Sequence, residues 1–174
     1  MIRFVVGDPE DQPTEAALRP VTAQLDGASA SSRQLEDRAG TAVHERLQQI
    51  GALPAGAAVI TPAGDLPFGF LIHAVVQSAD EPVSAHTVRN ALVNGLRRAE
   101  EWDLGSLTLL PLGTGAGNLD ADVIAQITAE VLEERLPLAD TLDEIVIAVH
   151  SEYLAQALRI RLAQSFGEDS VWSS

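Results

Sequence analysis

The sequence predicts an α/β fold, a three-layer α/β/α sandwich around a central mixed sheet. Two observations carry this prediction. The second half of the chain runs helix, strand, helix, strand, helix, the alternation that builds a sheet covered on both faces. The first half places two strand-like runs, 57–64 and 68–76, directly after one another, which favours a mixed sheet over a purely parallel one. The 174 residues suit a single domain, 1–174, with the last ~8 residues as a tail.

The first half of the chain supplies the weaker strand signals. The β-rich run Ile2–Val6 stops at a cluster of turn-forming residues. A second strand is predicted over Leu18–Leu25, where Pro20 favours an edge position or a bulge. A small, polar loop then leads into a helical pattern over 33–50, which is interrupted near Gly40.

The second half of the chain carries the clearest helices. Ser84 is the predicted N-cap of a helix that reaches about Trp102, with apolar residues at spacings of three and four. Strands are predicted over Ser106–Leu110 and Glu144–Val149, on either side of a further helix. Ser151 is predicted to cap the last helix.

Composition excludes several classes of function. The chain has no cysteine and no lysine, so thiolate metal sites, Schiff-base lysines and the lysine of a P-loop are all absent. The formal net charge of −14 opposes binding to phosphate backbones, so nucleic acid is not expected as a partner. No apolar run has the length of a membrane span and no signal peptide is recognisable, which favours a cytoplasmic protein without a membrane partner.

The four histidines are His44, His73, His86 and His150. Their spacing matches no metal-ligand motif and no cysteine assists them, so no metal site is expected. No cofactor is expected either. His73 lies inside an apolar strand and is predicted to be a hydrogen-bonded core residue. His44 and His86 are predicted at the surface. His150 follows the end of a strand and is the one candidate for a functional role.

A glycine-rich stretch after Leu110 is the main functional signal. Gly113, Gly115 and Gly117 separate a predicted strand from a predicted helix, at the sheet edge where open α/β folds bind ligands. Residues without Cβ let backbone N–H groups converge on an anion, although a tight strand–helix turn would explain the glycines equally well. Asn118 stands where the dinucleotide fingerprint G-x-G-x-x-G has its third glycine, so that motif is rejected.

Together with their neighbours, the residues PLGTGAGNLD at 111–120 resemble the macro domain family. In that family a strand of the type YVIHAVGP precedes a long helix, and a loop of the type P-A-[IL]-[SG]-T-G-x-[FGA]-G follows the next strand. Here FLIHAVV at 70–76 takes the place of that strand, and Gly113–Gly117, which we call the glycine loop, takes the place of that loop. The N-terminal FVVGDPEDQP and the closing IAVHSEYLAQAL extend the resemblance over nearly the whole chain.

The resemblance implies an ADP-ribose pocket. Asp8 falls where the family's aspartate accepts a hydrogen bond from the adenine amino group, and Pro9 takes the next position. His150 falls where an aromatic residue stacks on the adenine. The loop implied to wrap the distal phosphate and ribose consists of Leu112, Gly113, Thr114, Gly115, Ala116 and Gly117, with Asn118 beside it.

Two departures from the family pattern bear on activity. The run N-A-A-N, whose last asparagine contacts the distal ribose, is missing, and Thr22 and Gln24 are the polar side chains near its place. The glycine-rich first phosphate loop is replaced by a stretch that offers Ser29, Ser31 and Ser32. Hydrolytic members use the asparagine and that loop to position a water. We therefore predict binding of ADP-ribose or a related adenine nucleotide, without strong catalysis and without catalytic residues.

Two alternatives stay open beside this binding module. One is a hydrolase that removes ADP-ribose from a target. The other is a macro-like scaffold without a ligand, which acts through protein contacts. For the binding module, the expected partners are ADP-ribose, another adenine nucleotide or an ADP-ribosylated protein, and both a monomer and a homodimer are compatible with the sequence.

Overall fold

Seven strands and five α-helices lie within residues 1–12, 14–114 and 119–173, the parts of the chain that the computed structural model describes. The strands are β1 (Ile2–Val6), β2 (Ala16–Thr22), β3 (Ala58–Pro62), β4 (Phe70–Gln77), β5 (Ser106–Leu109), β6 (Glu144–Val149) and β7 (Val171–Ser173). The helices are α1 (Ala30–Ala39), α2 (Thr41–Ile50), α3 (Ala85–Glu101), α4 (Ala121–Arg135) and α5 (Glu152–Phe166).

The strands form one mixed sheet in the order β3-β4-β2-β5-β6-β1-β7. Strand β3 pairs antiparallel with β4, and the other neighbouring strands pair in parallel. The antiparallel pair forms because β3 and β4 follow one another through a short turn, in which Gly64 has a φ of 61°. The mixed sheet predicted from the sequence is confirmed.

Helices cover both faces of the sheet. Successive residues of β4 show this directly, because alternate side chains of a strand point to opposite faces. Ile72 packs into a larger core with residues of α3, α4 and α5, such as Leu96 and Leu132. Leu71 packs into a smaller core with residues of α1 and α2, such as Leu35. The predicted three-layer architecture is therefore confirmed.

Serine caps fix the starts of three helices. The Ser84 hydroxyl accepts a hydrogen bond from the N–H of Thr87, whose side chain accepts one from the Ser84 N–H in return. The Ser151 hydroxyl accepts from the N–H of Leu154, so both predicted caps are confirmed. Ser29 caps α1, which therefore begins earlier than the predicted 33. Among the described residues, no helix is both long and apolar enough to cross a bilayer.

Strand β2 differs from its prediction over Leu18–Leu25. It lies in the interior of the sheet, between β4 and β5, so the edge position inferred from Pro20 is wrong. The alternative, an irregularity, is present as a register shift between Val21 and Thr22. Pro20 is tolerated here because β5 pairs with β2 only as far as Leu18, so no neighbouring strand on that side requires its missing N–H.

Strand β7 was not predicted. It pairs in parallel with β1, from Ile2 opposite Val171 to Phe4 opposite Ser173. A strand of three residues is too short to produce a recognisable alternation of polar and apolar positions.

Candidate ligand-binding site

A cavity of about 120 Å³ lies at the carboxyl edge of the sheet, where β5 and β6 end. Because neighbouring strands here are parallel, their following loops meet at this edge, together with the first turns of α1 and α5. Its polar lining comes from Ser29, Ser31, Thr114, His150 and Ser151.

Two helix N-termini present unused backbone donors at this edge. In α1, the Ser29 cap takes up the N–H groups of the third and fourth residues of the first turn, which leaves those of Ala30 and Ser31 without an acceptor among the described residues. In α5, Ser151 accepts from the N–H groups of Leu154 and Ala155. The N–H groups of Glu152 and Tyr153 therefore also have no acceptor among the described residues. Such groups, with the positive end of the helix dipole, favour an anion.

The residues on either side of 115–118 are held in place by burial and by a hydrogen bond. Leu112 is buried, and Gly113 has a φ of 97°, which favours glycine. The carbonyl oxygen of Gly113 accepts a hydrogen bond from the N–H of Leu119 at 3.1 Å, so the two ends of the loop are joined. Thr114 lines the cavity. The predicted ligand residues at 115–118 lie outside the described residues.

The predicted adenine residues Asp8 and His150 lie together beside the cavity. We call Asp8, Glu10, Arg38 and His150 the exposed cluster. The Asp8 carboxylate lies 3.9 Å from Nε2 of His150 and 3.9 Å from a guanidinium nitrogen of Arg38. Arg38 also pairs with Glu10, and the hydrogen bond to that carboxylate raises the pKa of Arg38. The side chains of Asp8 and His150 are 39% and 47% exposed, so a ligand can reach both.

Pro9 and Thr22 are placed differently from these residues. Pro9 is buried in a short 3₁₀ turn directly after Asp8 and so sets the path of the chain. Thr22 ends β2, and its backbone closes a tight turn by accepting from the N–H of Leu25 and donating to the carbonyl of Asp26. Neither residue contributes to the lining of the cavity.

A second polar group lies beneath the site, inside the protein. We call Arg19, His73, Thr61 and Glu36 the buried network. Nε of Arg19 donates to Nδ1 of His73 at 2.9 Å, and a terminal guanidinium nitrogen pairs with Glu36 at 3.3 Å. Arg19 and His73 are both 0% exposed. Burial lowers the pKa of Arg19, while the neighbouring Glu36 carboxylate opposes this and keeps the charge favourable.

The buried network fixes the tautomer of His73. Because Nδ1 accepts from Arg19, the ring proton of the neutral imidazole sits on Nε2, which lies 2.8 Å from the Thr61 hydroxyl and donates to it. Burial, and secondarily the Arg19 charge, hold the pKa of His73 well below its usual 6.5. The prediction that His73 is a hydrogen-bonded core residue is confirmed.

The three serines of the β2–α1 segment have different roles. Ser29 caps α1 and borders the cavity, and Ser31 also lines the cavity. Ser32 is fully buried instead, where its hydroxyl donates to the carbonyl of Pro20 at 2.7 Å and accepts from Arg19 at 3.2 Å. Only Ser29 and Ser31 are therefore placed to meet a ligand.

Comparison with known proteins assigns the family. The model of the macro domain family matches residues 19–128. The chain belongs to the macro domain family. Across its described residues, this macro domain holds no group of three His, Cys, Asp or Glu side chains that could bind a metal ion.

Relatives of this macro domain include proteins of different length and name. An uncharacterized protein of Mycobacterium tuberculosis is 32% identical over 116 residues, which are 67% of this chain but only 31% of that protein. The chain thus spans less than a third of the length of that relative. The O-acetyl-ADP-ribose deacetylase of Enterobacter sp. (strain 638) is 28% identical over 169 residues, 94% of each chain. The solved macrodomain of Oceanobacillus iheyensis with ADP superposes with a TM-score of 0.82 at 20% identity, over 92% of this chain and 89% of that one.

Sequence reasoning missed two arginines of this macro domain. Arg38 approaches Asp8 across 30 residues of sequence, and the sequence analysis places Arg19 only within a predicted strand. A signal for Arg19 was present, because an arginine between Leu18 and Pro20 in an apolar strand needs a buried partner. The identity of that partner was not readable from the sequence.

Proposed function

We propose that this macro domain binds ADP-ribose or a related adenine nucleotide at the carboxyl edge of its sheet, without rapid turnover. The observation that carries the proposal is that the first turns of α1 and α5 and Thr114, at the start of the glycine loop, border one cavity. The ADP-bound macrodomain with the same fold supports it.

Backbone groups hold the phosphates in this proposal. The chain has a net charge of −14 and no cationic side chain lines the described part of the cavity, so an anion needs N–H donors and helix dipoles. The unused N–H groups of Ala30 and Ser31 supply them, with Thr114 opposite. A cavity of 120 Å³ is smaller than the ~300–1,000 Å³ of pockets that enclose a whole ligand. It therefore accommodates one part of the nucleotide, and the rest extends over its rim.

The exposed cluster receives the adenine. The Asp8 carboxylate can accept a hydrogen bond from the adenine amino group, and the imidazole of His150 offers a flat surface for stacking. The contacts of Asp8 at 3.9 Å are longer than hydrogen bonds, so a ligand can replace them at little cost.

Calorimetric titration with ADP-ribose, and with AMP for comparison, tests the proposal. The wild-type protein should bind ADP-ribose more tightly than AMP, because AMP lacks the second phosphate and the distal ribose. Asp8→Ala should weaken ADP-ribose binding by about tenfold. Asp140→Ala is the matched control, since Asp140 is an exposed aspartate near the opposite end of the sheet. Equal affinity of Asp8→Ala and the wild type would remove Asp8 from the site, and no binding by the wild type would end the proposal.

The alternative is hydrolysis, and one observation favours it. The Enterobacter relative, which matches along nearly its whole length, is named an O-acetyl-ADP-ribose deacetylase. Against hydrolysis, the described lining of the cavity contains no Asp or Glu, so only His150 could act there as a general base. Release of acetate from O-acetyl-ADP-ribose, followed by NMR, decides between the two. Turnover that His150→Ala abolishes and His44→Ala leaves intact would establish the hydrolase.

A scaffold without a ligand is the third possibility for this fold. It would require Ser29–Ser32 to fill the cleft. Ser29 and Ser31 border an open cavity instead, which supports a binding module over the scaffold.

A further inference from the structure

The buried network connects the interior of the protein to the segment that carries the proposed phosphate donors. Besides His73 and Glu36, the Arg19 guanidinium donates to the carbonyl of Leu25 at 3.0 Å and to the carbonyl of Ser32 at 3.2 Å. Leu25 lies in the β2–α1 loop (23–29) and Ser32 in the first turn of α1. One side chain thus holds both ends of the segment that places Ala30 and Ser31.

We propose that Arg19 is a positioning residue of the ligand site: it fixes the β2–α1 loop and the first turn of α1 so that their backbone donors face the phosphates. This inference rests on the proposed function. It also accounts for how the chain forms a phosphate loop where glycines are replaced by ordinary residues.

The β2–α1 loop needs such a constraint because its backbone is strained. Leu25 has a φ of 68°, a conformation that residues other than glycine, asparagine and aspartate rarely adopt. Its side chain is 1% exposed and packs in the smaller core. The hydrogen bond from Arg19 to the Leu25 carbonyl holds the peptide in this orientation, together with the turn bond from the Leu25 N–H to Thr22.

Glu36 holds the same loop from its other side. One carboxylate oxygen accepts from Arg19 at 3.3 Å and from the N–H of Gly27 at 2.9 Å. Gly27 packs so closely on α1 that a Cβ there would lie 2.6 Å from the backbone nitrogen of Arg33. The carboxylate therefore ties the second turn of α1 to the loop that precedes the helix.

His73 and Thr61 orient the arginine. Nδ1 of His73 accepts from Nε, the one guanidinium nitrogen of Arg19 that bonds neither the β2–α1 loop nor α1. The Thr61 hydroxyl accepts from Nε2 of His73 and so fixes the ring. A lysine has a single nitrogen and could not reach Leu25, Ser32 and His73 at once. The site of Arg19 thus requires the planar, forked shape of guanidinium as well as its charge.

Stability alone gives a weak reason for this arrangement. Replacing a buried ion pair by apolar residues of similar volume often leaves a protein as stable or more so. Hydrogen bonds are directional, so they fix the orientation of the groups that they join. Four of the five hydrogen bonds that the Arg19 side chain makes to described residues go to Leu25, Ser32 and Glu36, in the β2–α1 loop and in α1, the segment that borders the cavity. This distribution favours a role in placing the loop.

Two variants of the buried network and one control test the inference. Arg19→Lys keeps the charge and loses the fork, and Glu36→Gln loses the charge but can still accept from Gly27. Arg135→Lys is the matched control, because Arg135 forms a bidentate, largely buried ion pair with Glu100 at the C-terminal ends of α3 and α4, away from the cavity. Each variant is titrated with ADP-ribose at a temperature where circular dichroism shows it folded, and amide hydrogen exchange is measured over 23–32.

We expect at least about tenfold weaker ADP-ribose binding by Arg19→Lys and Glu36→Gln, with faster exchange at 23–32 and unchanged exchange in α4 and α5. Arg135→Lys should lower the unfolding midpoint and leave the affinity unchanged. If Arg19→Lys does not fold, Glu36→Gln alone carries the test. If Glu36→Gln is destabilised but keeps full ADP-ribose affinity, the buried network has only a structural role. That result would overturn this inference and leave the proposed function standing. Absence of binding by the wild type would overturn the proposed function and this inference with it.

Discussion

The buried network and the exposed cluster are built from the same kinds of residue, an arginine, a histidine and carboxylates, yet they are arranged in opposite ways. In the buried network the contacts of Arg19 and His73 measure 2.8–3.3 Å, and both side chains are removed from solvent. In the exposed cluster, Arg38 forms a hydrogen bond with Glu10, but Asp8 lies 3.9 Å from both Arg38 and His150. Burial requires that every polar atom be paired, whereas exposure leaves groups that can change partners. The first arrangement suits a fixed support and the second a surface that receives a ligand.

The largest effect on stability is expected from Arg19→Met. It leaves the buried acceptors of His73, Leu25 and Ser32 unpaired and Glu36 without its counter-charge, which we expect to cost about 3 kcal/mol in the free energy of unfolding. Urea denaturation followed by circular dichroism measures this loss. A change below about 1 kcal/mol would mean that the apolar side chain compensates fully, as in other replaced ion pairs.

The next effect is the pH dependence set by His73. Its pKa in the folded protein is well below 6.5, so below that pH the unfolded chain binds a proton that the native protein does not. The contribution of His73 is therefore complete above pH 6.5 and is lost as the pH falls, by up to about 1.4 kcal/mol per pH unit. Urea midpoints between pH 7 and pH 5 should show this slope. His73→Gln, whose side chain carries an acceptor and a donor and does not titrate, should show a smaller slope.

The smallest effect is expected in the exposed cluster. Arg38→Gln removes an ion pair whose arginine is 45% exposed, and water and salt screen such pairs. We expect the urea unfolding midpoint at about 0.15 M salt to stay at the wild-type value. A loss as large as that of Arg19→Met would remove the contrast between the two clusters.

Local features of the fold could be predicted from the sequence. The caps at Ser84 and Ser151 depend on residues three positions further on, and the helix break at Gly40 depends on a single residue. Each of these signals involves residues that are close in sequence, within one helical turn, so the sequence alone is enough to predict it. The mixed sheet followed in the same way from two adjacent strand-like runs.

The candidate site could be predicted only in part. The segments that border the cavity were identified, because glycines and strand ends mark them. The roles of Arg19 were not, because its partners lie 13, 17 and 54 residues away along the chain. Pro20 was misjudged for a related reason: whether its missing N–H matters depends on how far β5 extends beside it.

The wide separation of these partners also has a consequence in time. The guanidinium of Arg19 can leave water only when β4, β3 and α1 are all in place to receive it, since an unpaired buried charge is strongly unfavourable. We therefore expect the buried network to form after the folding transition state, so that Arg19→Met accelerates unfolding and leaves the folding rate nearly unchanged in stopped-flow experiments. The loop that borders the cavity would then be ordered late in folding and released early in unfolding.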